Sequence, residues 1–337
     1  MDARSDGKKL LLFYLAPEFT MLAFTSALEV LRLANQVLEA DAYEWRLVSA
    51  DGSCIRASCG LAIDTDLSLA EARRRVNDGL DVRMAIVCSG RNVQHHVDKG
   101  LDSWLRECRK RRITLGALCT GSHLLAHAGL LREKRCTIHW ENYPSFAERF
   151  ADALLSTQIY EVDDEIYTCA GGTSALEMML HIIGQDFGFD VAVEVCQQAI
   201  VAGVRDRSER QRLPFSLPQG VRSKNLKAAI RIMEQNLTEP LPLHVVAAKV
   251  GISRRQMERY FRHEFACSPA RYYVRLRLER AKSLLKQTGM PVVEVAVACG
   301  FASASHFSKT YRIAEGVPPH ESRKARLPEW AAARIPA

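Results

Sequence analysis

A short pattern that occurs twice near the C-terminus constrains the fold more than any other feature of the chain. In each copy an apolar helix face precedes a glycine, Gly251 or Gly300. Two large apolar residues then repeat four positions apart, as Met257 with Phe261 and as Phe307 with Tyr311. The turn glycines are 300 − 251 = 49 residues apart. Short apolar helix faces joined by a glycine turn indicate two helix-turn-helix units.

One helix is predicted between the two units. Ser268 suits the N-cap, Pro269 suits the first helical position, and Gly289 is expected to end the helix. A helix of about twenty residues is roughly 30 Å long, close to one turn of B-DNA. The second helices of the two units can therefore enter successive major grooves on one face of the duplex. This spacing predicts that a single chain reads DNA with two helices.

Charge is distributed unevenly along the chain. From Val201 to the end there are 25 Lys and Arg against 11 Asp and Glu, so the net charge is 25 − 11 = +14. The first 200 residues hold 46 − 25 = 21 basic and 39 − 11 = 28 acidic residues, net −7. A basic field attracts the phosphate backbone independently of sequence. We therefore expect nucleic acid to bind the C-terminal part and not the first 200 residues.

Residues 222–326 resemble the AraC/XylS DNA-binding domain. The resemblance is carried by Gly300-Phe301, His306-Phe307-Ser308-Lys309 and Gly316-Val317-Pro318-Pro319. It implies base-edge contacts from two recognition helices, the first with Ser253, Arg254, Arg255, Gln256, Glu258 and Arg259, the second with Ser303, Ala304, Ser305, His306 and Lys309. Arginines suit guanine, Gln256 suits adenine, and Lys309 suits a base or a phosphate. For each charged residue the alternative is a solvated helix face.

The first 200 residues alternate between short apolar runs and helical patterns. Four apolar runs predict buried strands, at Leu10–Leu15, Trp45–Ala50, Met84–Cys88 and Ile113–Leu118. A further strand is expected at Cys136–His139, a hairpin across Asp163-Asp164, and a helix at Ser174–Phe187. This order predicts an α/β domain with a doubly wound, mostly parallel, flavodoxin-like sheet. Ligands of such sheets gather beyond the carboxyl ends of the strands.

Cys119 stands at one of these strand ends, within Gly116-Ala117-Leu118-Cys119-Thr120-Gly121. Small neighbours permit a sharp strand-to-helix turn, and the positive end of the following helix favours a thiolate. A cysteine packed as a small apolar side chain is the alternative. The hexapeptide alone does not choose between these interpretations.

The span from about Leu10 to Ala202 resembles the PfpI-type, class I glutamine amidotransferase-like superfamily, with Cys119 at its nucleophile elbow. Residues 136–142 and 168–175 resemble the branch fused to AraC-type domains, the GlxA-like regulators. A cysteine hydrolase needs a base and an orienting acid, and His139 and Glu141 are of those types. Many hydrolytic members place a histidine directly after the nucleophile, where this chain has Thr120. We therefore expect a catalytically degenerate sensor without catalytic residues.

The ligand pocket is expected at the residues that follow the strands: Phe19, Thr20, Cys119, Thr120, His139, Trp140 and Glu141. Each has a structural alternative, since Phe19 and Trp140 suit a core, His139 a buried polar contact and Glu141 the first turn of a helix. For a cationic amine, Trp140 offers a π face and Glu141 a counter-charge. The resemblance implies genes for amino-acid or quaternary-amine catabolism, with arginine, carnitine and glycine betaine as examples.

The ten cysteines form no C-x-x-C pair and do not cluster with histidines, so we predict no metal site, no disulfide framework and no cofactor. The N-terminus is polar, and no run approaches 18 apolar residues. These features predict a cytoplasmic protein that does not bind membranes.

The predicted organisation is a sensor domain at 1–202, a linker at 203–221, the DNA-binding domain at 222–326 and a tail at 327–337. We expect a ligand-responsive transcriptional regulator that binds double-stranded promoter DNA as an activator and, by resemblance, as a homodimer. One alternative is a cysteine amidase or hydrolase that also binds DNA. Another is a constitutive architectural DNA-binding protein, which predicts little sequence preference.

Overall fold

A computed structural model describes residues 8–201, 203–207, 209–211 and 223–323. The chain forms two compact units, Met1–Gln211 and Arg212–Ala337. The first unit therefore extends beyond the predicted boundary at residue 202, because Arg205, Arg207 and Gln211 bond to it. Residues 212–221 of the predicted linker and the predicted tail at 327–337 lie outside the described residues.

The first unit is built on a seven-stranded sheet with the order β10-β11-β7-β6-β1-β2-β5. All neighbouring strands are parallel except the antiparallel pair β10 and β11. The strands are β1 Lys9–Leu15, β2 Tyr43–Ser49, β5 Leu67–Ser68, β6 Met84–Ser89, β7 Thr114–Cys119, β10 Tyr160–Asp163 and β11 Ile166–Cys169. Two small sheets pair β3 Ile55–Arg56 with β4 Ala62–Ile63, and β8 Arg135–Cys136 with β9 Leu154–Leu155. The predicted mostly parallel sheet is confirmed.

Helices cover both faces of this sheet, and the side chains of β1 are therefore buried on both faces. Leu11, Phe13 and Leu15 belong to one buried cluster, whereas Leu10, Leu12 and Tyr14 belong to the other. Side chains on a strand point alternately to opposite faces, so an apolar run without alternation is buried on both. The helices are α1 Met21–Leu38, α2 Leu69–Asn77, α3 Lys99–Lys110, α4 Gly121–His127, α5 Tyr143–Arg149, α6 Ser174–Phe187 and α7 Phe189–Gln198. None of the helices in the described residues is long and apolar enough to cross a bilayer.

Most predicted elements of this unit are present, and one was placed wrongly. Helix α6 has the predicted bounds, and the hairpin turns at Asp164 and Glu165, both with positive φ. The strand expected at Cys136–His139 is only β8, Arg135–Cys136, which pairs outside the main sheet. Residues 137–139 lie in a loop because their backbone bonds go to the hydroxyls of Thr168 and Ser122 and to Cys119.

The second unit contains seven helices within the described residues: α8 Lys224–Gln235, α9 Leu243–Lys249, α10 Arg254–Phe265, α11 Pro269–Gln287, α12 Val292–Ala298, α13 Ala304–Glu315 and α14 Pro319–Ser322. Pairs α9–α10 and α12–α13 are the two predicted helix-turn-helix units. Each has its own buried cluster, with Met257 and Phe261 in one and Phe307 and Tyr311 in the other. The intervening α11 begins at Pro269 behind the N-cap Ser268, as predicted, but it ends at Gln287 before Gly289.

The turn of the second helix-turn-helix unit is locked against the first half of the domain. Gly300 has a φ of 71°, and a Cβ there would lie 2.6 Å from the Leu237 carbonyl oxygen, so only glycine fits. Arg277 of α11 donates to the Cys299 and Gly300 carbonyl oxygens, each at 2.7 Å. Its guanidinium lies 4.0 Å from the centroid of Phe301. These contacts fix the turn between α12 and α13 on α11.

Candidate functional site

Cys119 occupies a strained turn between β7 and α4. Its φ is 60°, a value that residues other than glycine rarely adopt. The turn is tight because a Cβ on Gly121 would lie 2.3 Å from the Val87 carbonyl oxygen. The geometry is that of a nucleophile elbow, in which the side chain stands at the carboxyl edge of a sheet.

The Cys119 thiol is enclosed by neighbouring segments. Its side chain is buried, and Thr20 Oγ1 donates a hydrogen bond to its Sγ at 3.3 Å. On another side, a Cβ on Gly171 would lie only 2.9 Å from Sγ, so the backbone of Gly171 forms part of the wall. Burial raises the pKa of Cys119 to about 12, although the Thr20 hydrogen bond acts in the opposite direction. The thiol is therefore un-ionised near neutral pH.

The two threonines predicted for the site have different roles in the structure. Thr20 contacts the sulfur, as described, and is partly exposed. Thr120 is buried, and its hydroxyl donates to the Gly90 carbonyl oxygen at 2.7 Å. Thr120 therefore ties the elbow to the end of β6.

His139, Trp140 and Glu141 lie where the loop at residues 137–139 leads into a short 3-10 helix, Trp140–Asn142, beside the elbow. The His139 backbone N–H donates to the Cys119 carbonyl oxygen at 3.2 Å. The rings of His139 and Trp140 pack with centroids 5.3 Å apart, and His139 Nδ1 lies 3.8 Å from Glu141 Oε2. Burial lowers the pKa of His139 despite the opposing Glu141 charge. A half-buried imidazole, an indole and a 58% exposed carboxylate side chain thus adjoin the thiol-bearing turn.

Phe19 is fully buried, and its ring packs edge-on against Phe24 at 5.5 Å. The Phe19 side chain belongs to the core. Its backbone pairs with that of Gly90, just beyond the ends of the neighbouring strands β1 and β6. Gly171 is not among the predicted site residues, although the pair Gly171-Gly172 is a recognisable signal for close backbone approach. Within the described residues, no group of three His, Cys, Asp or Glu side chains is arranged to hold a metal ion.

The first recognition helix, α10, begins with a capping box. Ser253 Oγ accepts from the Gln256 N–H at 3.1 Å, and Gln256 Oε1 accepts from the Ser253 N–H at 3.0 Å. Gln256 therefore uses its acceptor within the protein, which leaves its amide donors for DNA. Arg254 pairs with Glu258 at 3.3 Å.

Other α10 side chains are exposed. Arg255 and Arg259 both project from the helix surface, and the Arg259 guanidinium lies 5.8 Å from the Tyr260 ring. Neither arginine is paired with a carboxylate among the described residues, in contrast to Arg254. They keep all their donors for base edges or phosphates.

The second recognition helix, α13, begins at the N-cap Ser303, whose Oγ accepts from the His306 N–H at 3.2 Å. Ser305, His306 and Lys309 are exposed, whereas Ala304 is partly buried and packs on the core of this unit. The His306 ring lies 5.9 Å from the Phe301 ring. The structure brings these residues to one helix surface; their contacts with DNA stay predictions.

Comparisons with known proteins match both units. The DJ-1/PfpI family matches residues 9–185, and the helix-turn-helix domain matches residues 246–325. The HTH-type transcriptional regulator GbdR of Pseudomonas aeruginosa is 39% identical over 93% of this chain and 84% of its own length. The HTH-type transcriptional regulator CdhR of the same species is 36% identical over 96% and 94%.

A solved structure supports the first unit. The crystal structure of an AraC family transcriptional regulator from Pseudomonas putida has a TM-score of 0.50 and 28% identity. It covers 57% of this chain and 99% of that chain. Together with the two helix-turn-helix units and the elbow at Cys119, these matches settle the classification. The chain belongs to the HTH-type transcriptional regulators that join a DJ-1/PfpI domain to an AraC-type DNA-binding domain.

Proposed function

We propose that this chain is a cytoplasmic, ligand-responsive transcriptional activator that binds promoter DNA as a homodimer. A small metabolite binds at the carboxyl edge of the sheet, beside Cys119, and changes the population of the DNA-competent arrangement. Such a shift requires different affinities of the ligand for the two arrangements. The observation that carries the proposal is a Cys119 thiol enclosed by Thr20 and Gly171 in a chain that also holds two helix-turn-helix units.

The environment of Cys119 favours sensing over hydrolysis. A nucleophilic cysteine needs a thiolate, which a neighbouring base or a positive charge stabilises. Here the Thr20 hydroxyl and the Thr120 backbone N–H both act to lower the pKa of the thiol, but burial outweighs them and raises it to about 12. Burial also lowers the pKa of His139, which disfavours the imidazolium that would stabilise a neighbouring thiolate. Turnover would in addition destroy the signal that a regulator needs to read.

The chemistry of residues 139–141 favours a small cationic ligand. Trp140 supplies a partly exposed indole ring, and Glu141 brings a carboxylate next to His139. An ammonium group over an aromatic ring with a nearby carboxylate is a recurring arrangement for quaternary amines. Family resemblance points in the same direction, to amino-acid or quaternary-amine catabolism genes.

A thermal-shift screen of the full chain tests the proposal. Amino acids, polyamines, choline, carnitine and betaines are mixed with the protein, and each mixture is then analysed by mass spectrometry. A ligand at 100 times its dissociation constant adds about 2.7 kcal/mol of stability. For a unit of this size that is a rise of roughly 5 to 10 °C in the melting temperature. The Trp140→Ala variant should lose the shift. The control variant, Trp104→Phe in the buried cluster around α3, should keep it.

The screen also separates the sensor from the rival enzyme. A compound that shifts the melting temperature and is recovered intact supports a sensor. A compound that is consumed, with consumption lost in Cys119→Ala, supports a cysteine amidase or hydrolase. A full chain that enriches no sequence from a randomised DNA pool would contradict the regulator as a whole and favour a nonspecific DNA-binding protein.

A further inference from the structure

A segment of the first unit, described at residues 205–207 and 209–211, lies beside residues 137–141, the candidate ligand loop. We call this segment the strap. The Ile159 N–H donates to the Glu209 carbonyl oxygen at 2.9 Å, and the Gln211 N–H donates to the Thr157 carbonyl oxygen at 2.7 Å. Gln158 and Arg210 form an isolated antiparallel bridge between these two bonds. The strap is thus docked by backbone hydrogen bonds on the segment that precedes β10.

Two buried carboxylates form ion pairs with the arginines of the strap. Arg205 donates to both oxygens of Glu177, at 2.6 and 2.9 Å, and the Glu177 side chain is 4% exposed. Arg207 donates to Glu161 at 2.9 Å, and the Glu161 side chain is 2% exposed. A buried carboxylate is tolerated when it is paired. The strap arginines therefore belong to the folded state of the first unit, although their own side chains are partly exposed.

The last residue of the strap, Gln211, donates hydrogen bonds to the ligand loop. Gln211 Nε2 donates to Thr137 Oγ1 and to the Ile138 carbonyl oxygen, each at 2.9 Å, and is 3.3 Å from the Gln158 carbonyl oxygen. Gln211 Oε1 is buried and has no hydrogen-bond partner among the described residues. An unsatisfied buried acceptor opposes docking, so the docked state is held with less than full hydrogen bonding.

The same loop is bonded to the elbow on its other side. Ser122 Oγ, in the first turn of α4, donates to the Thr137 carbonyl oxygen at 2.6 Å. The His139 N–H donates to the Cys119 carbonyl oxygen at 3.2 Å. Residues 137–139 therefore stand between the Cys119 turn and Gln211, with direct hydrogen bonds to both. A shift of this three-residue backbone moves the acceptors on which Gln211 depends.

We propose that the strap carries the state of the Cys119 site to the chain that leads into the DNA-binding unit. The inference rests on the proposed sensor function and assigns its output contact to Gln211. Ligand that displaces residues 137–139 weakens the Gln211 bonds, and the docked strap in turn holds that loop in its unliganded position. Undocking releases the strap from the first unit, so more residues join the first unit to the second. The number of residues in such a connection changes the effective concentration at which a linked unit is presented.

Hydrogen exchange of the full chain tests the coupling without any ligand. The variants are Gln211→Ala on the strap and Thr137→Val on the loop, with Gln197→Ala on the exposed face of α7 as the matched control. Coupling between sites is reciprocal, and about fivefold is the lower end of its usual range. Each of the two variants should speed exchange about fivefold or more in both 137–142 and 205–211. Exchange in α3 and in the control variant should match the wild type.

Binding of DNA tests whether the coupling reaches the second unit. The probe is a duplex enriched from a randomised pool by the wild-type full chain. Gln211→Ala and Thr137→Val should change its dissociation constant in the same direction by about threefold or more, with Gln197→Ala unchanged. Exchange that rises only next to each substitution, or DNA affinities that are equal in all four proteins, overturns the strap proposal and leaves the regulator standing. A wild type that enriches no duplex counts against the proposed function, and the exchange experiment still decides the coupling.

Discussion

The contact of Arg277 with the second helix-turn-helix turn predicts a large loss of stability when it is removed. The guanidinium makes two hydrogen bonds of 2.7 Å to carbonyl oxygens and lies 4.0 Å from the Phe301 centroid. Burial lowers the pKa of Arg277, which indicates that the cation is partly desolvated. Each hydrogen bond from a charged group contributes about 1.5 to 3 kcal/mol. Arg277→Met keeps the apolar stem and should lower the free energy of unfolding of the second unit by about 3 to 4 kcal/mol.

Calorimetry of the full chain measures this loss. A domain of 60 to 100 residues changes its melting temperature by about 4 to 8 °C per kcal/mol, so the transition of the second unit should fall by more than about 10 °C. Arg275→Met is the matched control, because Arg275 is exposed two positions away on the same helix. The transition of the first unit should not move in either variant. Equal melting temperatures for Arg277→Met and Arg275→Met would refute the reasoning that the turn is held through its carbonyl oxygens.

Three further changes have defined outcomes. Arg259→Ala should weaken binding to the selected duplex by about 1 to 3 kcal/mol if Arg259 reads a base, whereas an equal loss on all sequences in a titration assigns it to a phosphate. Gly171→Ala brings a Cβ to 2.5 Å from the Cys119 Cβ, so the free energy of unfolding measured with denaturant should fall by about 2 to 4 kcal/mol. Gly172→Ala is the control, because a Cβ there meets open space, and its loss should be about 1 kcal/mol. Burial, with smaller contributions from Arg149 and His127, lowers the pKa of His123 from 6.5 to about 3. The unfolded chain therefore binds the proton at a higher pH than the folded chain does, and stability is lost as pH falls from about 6.5 towards 3. His123→Leu should flatten that acid dependence of the melting temperature, and an unchanged slope would count against it.

The elements that the sequence predicted well are those in which a local pattern and the tertiary environment agree. β1 is apolar on both faces because the sheet is covered on both, and this burial needs an unbroken apolar run. The helix-turn-helix units were found from their glycines and i, i+4 pairs, since each unit buries those pairs in its own small core. In both cases a short stretch of residues contains the whole signal.

The strap was missed because its partners are distant in sequence. Arg205–Gln211 is a charged stretch without periodicity, which is typical of a linker. Its docking depends on Glu161 and Glu177, whose burial at 2% and 4% exposure arises only after the sheet and α6 have packed. The same limit applies to Cys119. A strand-to-helix turn predicts the elbow, but the pKa of the thiol is raised by burial among segments that are distant in sequence, such as Gly171 after β11.

The two helix-turn-helix units share a framework but present different chemistry to DNA. Both recognition helices begin at a serine cap, yet α10 contains four arginines, whereas α13 contains one lysine and one arginine. The α9–α10 unit is therefore expected to supply more of the salt-dependent attraction and more bidentate donors, and the α12–α13 unit to offer Ser305 and His306. Since α11 is 19 residues, about 28 Å at 1.5 Å per residue, the two units are expected to bind half-sites about one helical turn apart. Those half-sites must differ in sequence, because a pair of dissimilar helices on one chain cannot read a repeat equally well.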